Sequence, residues 1–385
     1  MPRLFFLILL FALCAAGAEV RTWTNHAGQT IQAEYLSQNG GSVTLLRYPD
    51  RQQFTFPVAS LSPADQQWLA SQAPLGSDGI FIAVGNGLHR MSSNDGREWT
   101  NHVYKGKPGH DQNDLKDIAF GNDSVVTVGG FSRSNILTTT DGVAWHKNDF
   151  NIGVLSGVIF HEGYFYVFGE GARTARSPDG MTWEAYGDGN LREDFLEPEA
   201  ERLGEDKPIK SNIRQWRFAQ GRFVGTGDNS IIATTVDFND WDYQRLEPRE
   251  RLFVETNGRT FVAHGRESVQ YSPDGLTWTE VTPDDLGDGR INSLVFDGER
   301  YVLNNSRDVG WESSDGEVWA RIADASFPDF IASLRPGLYY SFKNYWQYTE
   351  EFKVSTDGGK TWESTNIPEP VGVTNIIFAP GFASF

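Results

Sequence analysis

A short phrase occurs seven times along this chain: Ser or Thr, one or two residues, Asp, usually Gly, a short gap, then Trp. The pairs are Asp95 with Trp99, Asp141 with Trp145, Asp179 with Trp183, Asp237 with Trp241, Asp274 with Trp278, Asp315 with Trp319 and Asp357 with Trp362. Successive aspartates lie 46, 38, 58, 37, 41 and 42 residues apart. A period of about 40 residues in a strand-rich sequence indicates blades set in a ring. One such unit cannot bury both of its faces alone, so neighbours must stack on it. The phrase therefore constrains architecture tightly and chemistry hardly at all.

Each repeat carries more than this box. An apolar strand, often ending in Phe, leads to a Gly turn: Phe120-Gly121, Phe160 with Gly163, Phe218 with Gly221, Phe296 with Gly298. A second strand follows, such as Val125-Val126-Thr127-Val128 or Arg300-Tyr301-Val302-Leu303. A third runs into the box, and a fourth begins at or near the Trp. Four strands per repeat make a propeller blade. The first repeat starts at its second strand, Ile80 to Val84, while the chain ends on an orphan first strand, Thr374 to Phe378, with a turn at Gly381. The two ends are predicted to share one blade, which removes two open sheet edges and gives seven blades.

Box chemistry reads as structural. Gly after Asp permits a positive backbone angle, the carboxylate accepts hydrogen bonds from the turn amides, and Trp is a large apolar plate for packing against neighbouring strands. In Asp237-Phe238-Asn239-Asp240-Trp241 the Gly is missing, so that turn is expected to differ. Asp357-Gly358-Gly359-Lys360-Thr361-Trp362 carries one extra residue.

The chain has 385 residues, of which 39% are hydrophobic and 13% aromatic, enough for a large core and more than one domain. Its formal charge of −18 repels phosphate backbones and anionic membrane surfaces, and no Lys/Arg run offsets it. Nucleic acid is therefore excluded as a partner. The first residues read as an export signal over residues 1–18: Arg3, then Leu4 to Leu13, then Ala16-Gly17-Ala18 as a small-residue cleavage site. The only cysteine, Cys14, lies inside that segment, so the mature chain would have neither a disulfide nor a thiol nucleophile. No later run is long and apolar enough to span a bilayer. The expected location is the periplasm, the cell surface or outside the cell.

Residues 19–69 differ from the rest. Thr30 to Tyr35, Ser42 to Leu46 and Gln53 to Val58 alternate, with Gly28, Asn39-Gly40-Gly41 and Pro49-Asp50 as turns. Ser62, Pro63 and Asp65 suit a helix start. Arg21-Thr22-Trp23-Thr24, Gly28, Ala33-Glu34-Tyr35, Val43-Thr44-Leu45 and Leu61-Ser62-x-x-Asp65-Gln66 resemble the Sla-type homology domain. The resemblance implies an SH3-like barrel, found in endocytic adaptors and in exported bacterial proteins, and a docking or spacer role. Residues 70–78, with Pro74 and Gly76, read as a linker. Residues 79–385 form the ring. Its boxes resemble the Asp-box, or BNR, repeats of sialidase-like propellers, a family that includes enzymes, photosystem-assembly factors, sorting receptors and non-catalytic exported proteins.

The box turn joins strands three and four, so ligands are expected on the opposite face, at the turns between strands two and three. Arg133, Arg266 and Arg307 each precede their box Asp by eight residues, and Asn229 shares that offset. Arg173, six before its Asp, is a neighbouring candidate. Equal offsets imply equivalent places in the ring. Arginines converging on a funnel would bind carboxylate or sulfate in bidentate fashion. The plainer reading is solvated turn residues paired with nearby acids such as Glu267 and Asp308. The seventh repeat offers an aromatic turn with Tyr345, Trp346 and Tyr348, suited to a sugar face or a protein partner, or else to packing. The insertion from Gly187 to Ser211, with a short helix after Pro198, either overhangs the binding face or is a solvated acidic loop. His110-Asp111-Gln112-Asn113-Asp114 and Asp284-Asp285-Leu286-Gly287-Asp288-Gly289 offer oxygen ligands but match no calcium loop spacing, so no metal and no cofactor are expected.

No catalytic constellation is recognisable. A sialidase needs an arginine cluster, a Tyr nucleophile with a carboxylate helper, and an acid. The resembling family's Arg-Ile-Pro signature is absent, and Arg214, the one arginine in a suitable first strand, is not followed by Ile-Pro. The expectation is an exported, non-catalytic binder or scaffold for a protein or glycan ligand. The alternatives are a glycoside hydrolase or lyase acting on acidic glycans, and an assembly factor for envelope proteins.

Overall fold

The structure is a computed structural model that describes residues 20–39, 42–62, 65, 69, 79–103, 113–207, 211–343, 352–370, 372–383 and 385. The expected signal segment with Cys14, the linker 70–78, His110 to Gln112 and the aromatic candidates Tyr345, Trp346 and Tyr348 lie outside the described residues. The chain divides into two compact units, Met1–Pro74 and Leu75–Phe385. Among the described residues no helix is long and apolar enough to cross a membrane.

The first unit is an antiparallel meander of Val20–Thr24, Thr30–Asn39, Ser42–Arg47 and Gln53–Pro57. Alternation places Trp23, Ala33, Val43 and Leu45 on one buried face with Leu61 and Leu69. The Trp23 indole donates to the Ala33 carbonyl at 3.0 Å, so its polar edge is satisfied inside that core. Asp65 is buried yet well provided for. It accepts from Arg21 at 2.8 Å, from the Thr24 amide at 2.7 Å and from the Ser62 hydroxyl at 2.9 Å. The Ser62 hydroxyl in turn accepts from the Asp65 amide at 3.2 Å, the N-cap bond expected there.

The second unit is a β-propeller with seven four-stranded antiparallel sheets among its described residues. The first strands of the sheets are Val373–Pro380, Leu115–Gly121, Leu155–His161, Ile213–Ala219, Phe253–Thr256, Ile291–Phe296 and Phe330–Arg335. Each of these strands touches the next, and Phe330–Arg335 touches Val373–Pro380, so the cycle closes. Sheet one combines the first and last described strands of the second unit. Val373–Pro380 pairs with Gly79–Gly85 in a register running from Val373↔Gly85 to Pro380↔Gly79. The expected latch is thus present. It buries Ile376 and Val373 in a cluster with Phe81, Trp99, Tyr340 and Phe352, which joins sheet one to the last sheet.

The boxes show how sheets are seated on one another. In the second sheet the Thr139 hydroxyl accepts from the Gly142 amide at 2.8 Å, and Asp141 accepts from the Val143 and Ala144 amides, each at 2.8 Å. Carboxylate-to-amide bonds of the same kind recur at Asp95, Asp179, Asp274, Asp315 and Asp357. The hydroxyl two residues before Asp is as much a part of the box as the carboxylate. Gly142 has φ +72°, and a Cβ there would stand 2.2 Å from Ile80 Cδ1 of sheet one. The glycine is needed both for its backbone angle and for this close approach.

The box tryptophans depart in part from the expected packing plates. Trp99 and Trp183 are buried, but Trp145, Trp241, Trp278, Trp319 and Trp362 are only half-buried. All seven stand at or just before the fourth strand, the outer edge of the sheet, with no further strand beyond it. Their inner faces still join sheets. Trp145 packs in the cluster of Ile80 and Leu137, Trp183 in that of Val126 and Phe165, Trp278 in that of Val224 and Phe261, and Trp319 in that of Val262 and Tyr301. The indole edge has a second task that the sequence reading missed. Trp183, Trp241 and Trp278 donate to the carbonyls of Gly180, Phe238 and Gly275 at 3.0, 3.0 and 3.2 Å, closing their own box turns.

One expectation is overturned. The fourth box, with Phe238 in place of Gly, keeps the common turn. Asp237 accepts from the Asn239 and Asp240 amides, both at 2.9 Å, and Phe238 itself takes φ +66°. Its ring does what a hydrogen atom could not: it fills the gap between sheets three and four, parallel to Tyr166 at 5.0 Å and 4.6 Å from Phe223.

The insertion holds the short helix expected there, but its surroundings differ from the expectation. Residues Arg192–Leu196 form a π-turn that runs into a helix, α1, over Glu197–Leu203, closed by Gly204 at φ +71°. Leu191, Leu196 and Ala200 are buried in the cluster that holds Trp216, Phe238 and Trp241. The segment therefore packs on sheet four and is not a solvated acidic loop. Spacings of five and four residues between three apolar side chains bury one face of the turn, while Glu193, Asp194 and Glu197 are exposed and Glu199 is buried.

Candidate functional site

The mouth of the ring on the face opposite the boxes is built by a recurring irregularity. The first strands break register between Leu115 and Asp117, Leu155 and Gly157, Ile213 and Gln215, Ile291 and Ser293, and Val373 and Asn375. Each break is a β-bulge that leaves one residue unpaired and turns it out of the ladder. Those residues are Lys116, Ser156, Arg214, Asn292 and Thr374. Second strands come very close here. A Cβ on Gly129 would stand 1.8 Å from the Asp114 carbonyl oxygen, and one on Gly227 1.9 Å from that of Asn212. Only glycine allows that approach.

Between sheets two, three and four this geometry opens a cleft of about 280 Å³, lined among others by Asp114, Lys116, Phe131, Ser156, Glu170 and Arg214. Phe131 is 61% exposed, unusual for a large apolar side chain. Burial lowers the Lys116 ammonium pKa; Asp114 and Glu170 act to raise it, and the neighbouring Arg214 charge lowers it further. Arg214 is braced from behind. Its Nε lies 3.1 Å from both oxygens of Asp228, and Arg251 Nε reaches the same carboxylate at 2.7 Å. Burial acts to raise the Asp228 carboxyl pKa, but its bonds and attraction to Arg214 and Arg251 hold it below the usual value. Two cations thus flank one cleft in a strongly acidic protein, with two carboxylates and an exposed ring beside them.

Further along the first strands lies a second charged group. Arg217 donates to both oxygens of Glu255 at 2.9 and 3.0 Å. Asp117 accepts from the Val158 and Ile118 amides, both at 3.0 Å, and from the Asn375 amide group at 3.2 Å. Burial raises the Asp117 carboxyl pKa, against the opposing pull of Arg217. These bonds tie the first strands of sheets one, two and three together and read as bracing of the ring.

The sequence-selected residues fall elsewhere on the same face. Arg133, Arg173, Asn229, Arg266 and Arg307 all sit in turns between second and third strands, as their offsets implied. None lines the cleft. Arg133 lies 3.9 Å from Asp149 and Arg307 lies 2.5 Å from Asp288, both acids coming from connections between sheets. Asn229 lies 3.3 Å from the Ser211 hydroxyl. Arg173 and Arg266 are exposed. The second acidic loop is likewise committed: Asp285 accepts the Trp311 indole at 2.6 Å, and Asp288 takes Arg307. Among the described residues no group of three or more His, Cys, Asp or Glu is placed to hold a metal ion. Lys116 and Phe131 escaped sequence reasoning, although a signal exists. A polar residue directly follows the first apolar residue of the first strand in Leu115-Lys116, Leu155-Ser156, Ile213-Arg214, Ile291-Asn292 and Val373-Thr374.

No family model matches the chain, and no curated protein does. Among solved structures it is similar to YCF48 bound to D1 peptide, at 14% identity and TM-score 0.51, over 76% of this chain and 89% of that one. It is similar to YCF48 from Cyanidioschyzon merolae at 13% identity and TM-score 0.50, over 74% and 90% respectively. At such low identity the likeness is one of fold.

Proposed function

We propose that the chain is an exported, non-catalytic binding or scaffold protein whose ring mouth holds a short segment of a partner polypeptide. The observation that carries this reading is the juxtaposition of Lys116 and Arg214 with the exposed Phe131 in one cleft. Two cations recognise an acidic side chain, and a neighbouring ring takes an apolar one. Asp114 and Glu170 would select against a uniformly acidic strand, so the fitting segment has an isolated acid next to an apolar residue. A similar fold solved with a peptide supports this class of ligand. The boxes are taken as Asp-box repeats of the sialidase-like kind, the first unit as an SH3-like Sla-type domain used for docking, and residues 1–18 as the export signal.

The test is an immobilised peptide array in which each acidic peptide has a twin with Glu replaced by Gln. The reading expects binding that requires the acid, and a loss of about tenfold or more, some 1.4 kcal/mol, in the Lys116→Gln plus Arg214→Gln protein. Arg251 continues to hold Asp228 in that variant, so the fold survives. Array binding that ignores both changes would refute the reading, as would turnover of an acidic glycan by the purified protein.

A further inference from the structure

A second cleft, sharing no residue with the mouth, lies beneath α1. It measures about 360 Å³ and is lined by Phe195, Pro198, Glu199, Arg202 and Arg245. Arg245 closes the fourth strand of sheet four, Trp241–Arg245, and its side chain is only 6% exposed. Its Nε stands 3.2 Å from Glu199 Oε1, but none of its three guanidinium nitrogens makes a hydrogen bond. Glu199, 7% exposed, leaves its other oxygen without a partner too. A buried guanidinium offers five N–H donors, and leaving them unmet costs several kcal/mol. Native folds rarely tolerate such a group without a specific reason.

The local charge points the same way. Arg202 Nη2 lies 3.4 Å from the same Glu199 oxygen, so two guanidinium groups share one carboxylate. The cleft carries a surplus positive charge in a chain whose formal charge is −18. Its remaining walls are apolar: the Phe195 ring lies 6.0 Å from Arg245 Cζ, and Pro198 borders it. The π-turn that presents Phe195 is a rare geometry, often kept where a site needs it.

We infer that this cleft binds a small organic monocarboxylate with an apolar body. The carboxylate takes the Nη1 and Nη2 donors of Arg245 in a bidentate pair, and the body lies against Phe195 and Pro198. A carboxylate fits the planar fork better than a monatomic anion does. The cleft volume falls at the small-molecule end of the range for ligand sites. Arg202 is 68% exposed and forms the solvent-facing wall of the cleft.

Calorimetric titration of the full chain with phenylacetate tests this, with acetate and 2-phenylethanol as controls lacking the ring or the charge. The expected result is saturable binding of phenylacetate with a dissociation constant on the order of 1 mM or tighter, and much weaker binding of both controls. Arg245→Met is expected to weaken it by about tenfold or more, and Arg202→Gln by several-fold. Phe195→Ala keeps the guanidinium and should lower affinity for phenylacetate without changing that for acetate, which keeps the test valid if the Arg245 variant misfolds. Absence of saturable binding up to about 10 mM, equal binding of 2-phenylethanol, or phenylacetate affinity unmoved by Arg202→Gln and Phe195→Ala would overturn the inference.

Discussion

Phe238 gives the sharpest test of how the sheets are seated. Its ring is buried among Tyr166, Phe168, Phe223 and Trp241, and its backbone sits at φ +66°, where other boxes have glycine. Truncation to Ala removes the ring but keeps a Cβ in the left-handed region. Phe-to-Ala changes in well-packed cores cost about 3–5 kcal/mol, and this site, ringed by other aromatics, has little freedom to collapse. Truncation to Gly removes the same ring and also relieves the backbone angle. At ordinary positions Gly is the more destabilising of the two, because it enlarges the unfolded ensemble. Here the order reverses, and Phe238→Gly is expected to be milder than Phe238→Ala by about 1 kcal/mol. Equilibrium urea denaturation of the two variants and the parent, followed by near-UV circular dichroism, reads both differences. An Ala variant as stable as the Gly variant would refute the backbone argument. Either variant within about 0.5 kcal/mol of the parent would refute the claim that the ring spans two sheets, since a surface position gives changes of that size.

The Tyr301 hydroxyl accepts from the Asn257 amide at 2.8 Å and lies 3.0 Å from the Thr260 carbonyl, tying the fifth and sixth sheets together. Tyr301→Phe strands that amide and is expected to cost about 1–3 kcal/mol in the same urea assay; no change would contradict it. Burial lowers the pKa of His89 to about 3 and that of His264 to about 4. Both are below the unfolded value near 6.5, so the unfolded chain binds more protons and stability falls as pH drops below about 6.5. The urea midpoint should decline from pH 6.5 to 4.5, with both imidazoles neutral by NMR at pH 5.5, whereas a flat profile or charged rings would contradict this.

What the sequence disclosed follows from what period and spacing encode. Box spacing and the strand pattern around it are local, so the repeats, the shared first sheet and the outward place of the second-to-third turns were all legible. Register is not local. The bulges that expose Lys116 and Arg214 exist only against partner strands, and the apolar–polar step of Leu115-Lys116 marks the place only when compared with the same step in other repeats. The equal offsets of Arg133, Arg266 and Arg307 gave their equivalent turns but not their direction; an acid from a connection between sheets pairs closely with Arg307, and another stands near Arg133. Phe238 misled because a missing glycine reads as a changed turn, while inter-sheet aromatic packing offsets the strain of a left-handed Phe. The box tryptophans were legible as inter-sheet packing, but the incomplete burial of Trp145, Trp278 and Trp319 was not. In the insertion, abundant acids masked the three apolar residues that anchor it.

The ring itself rests on the pairing of Val373–Pro380 with Gly79–Gly85. Hydrogen exchange resolved to that segment tests it most directly. Amide protection over Val373–Pro380 is predicted to match that of Leu155–His161, the equivalent first strand of sheet three. Exchange of Val373–Pro380 at the rate of an unpaired tail, while Leu155–His161 stays protected, would contradict it.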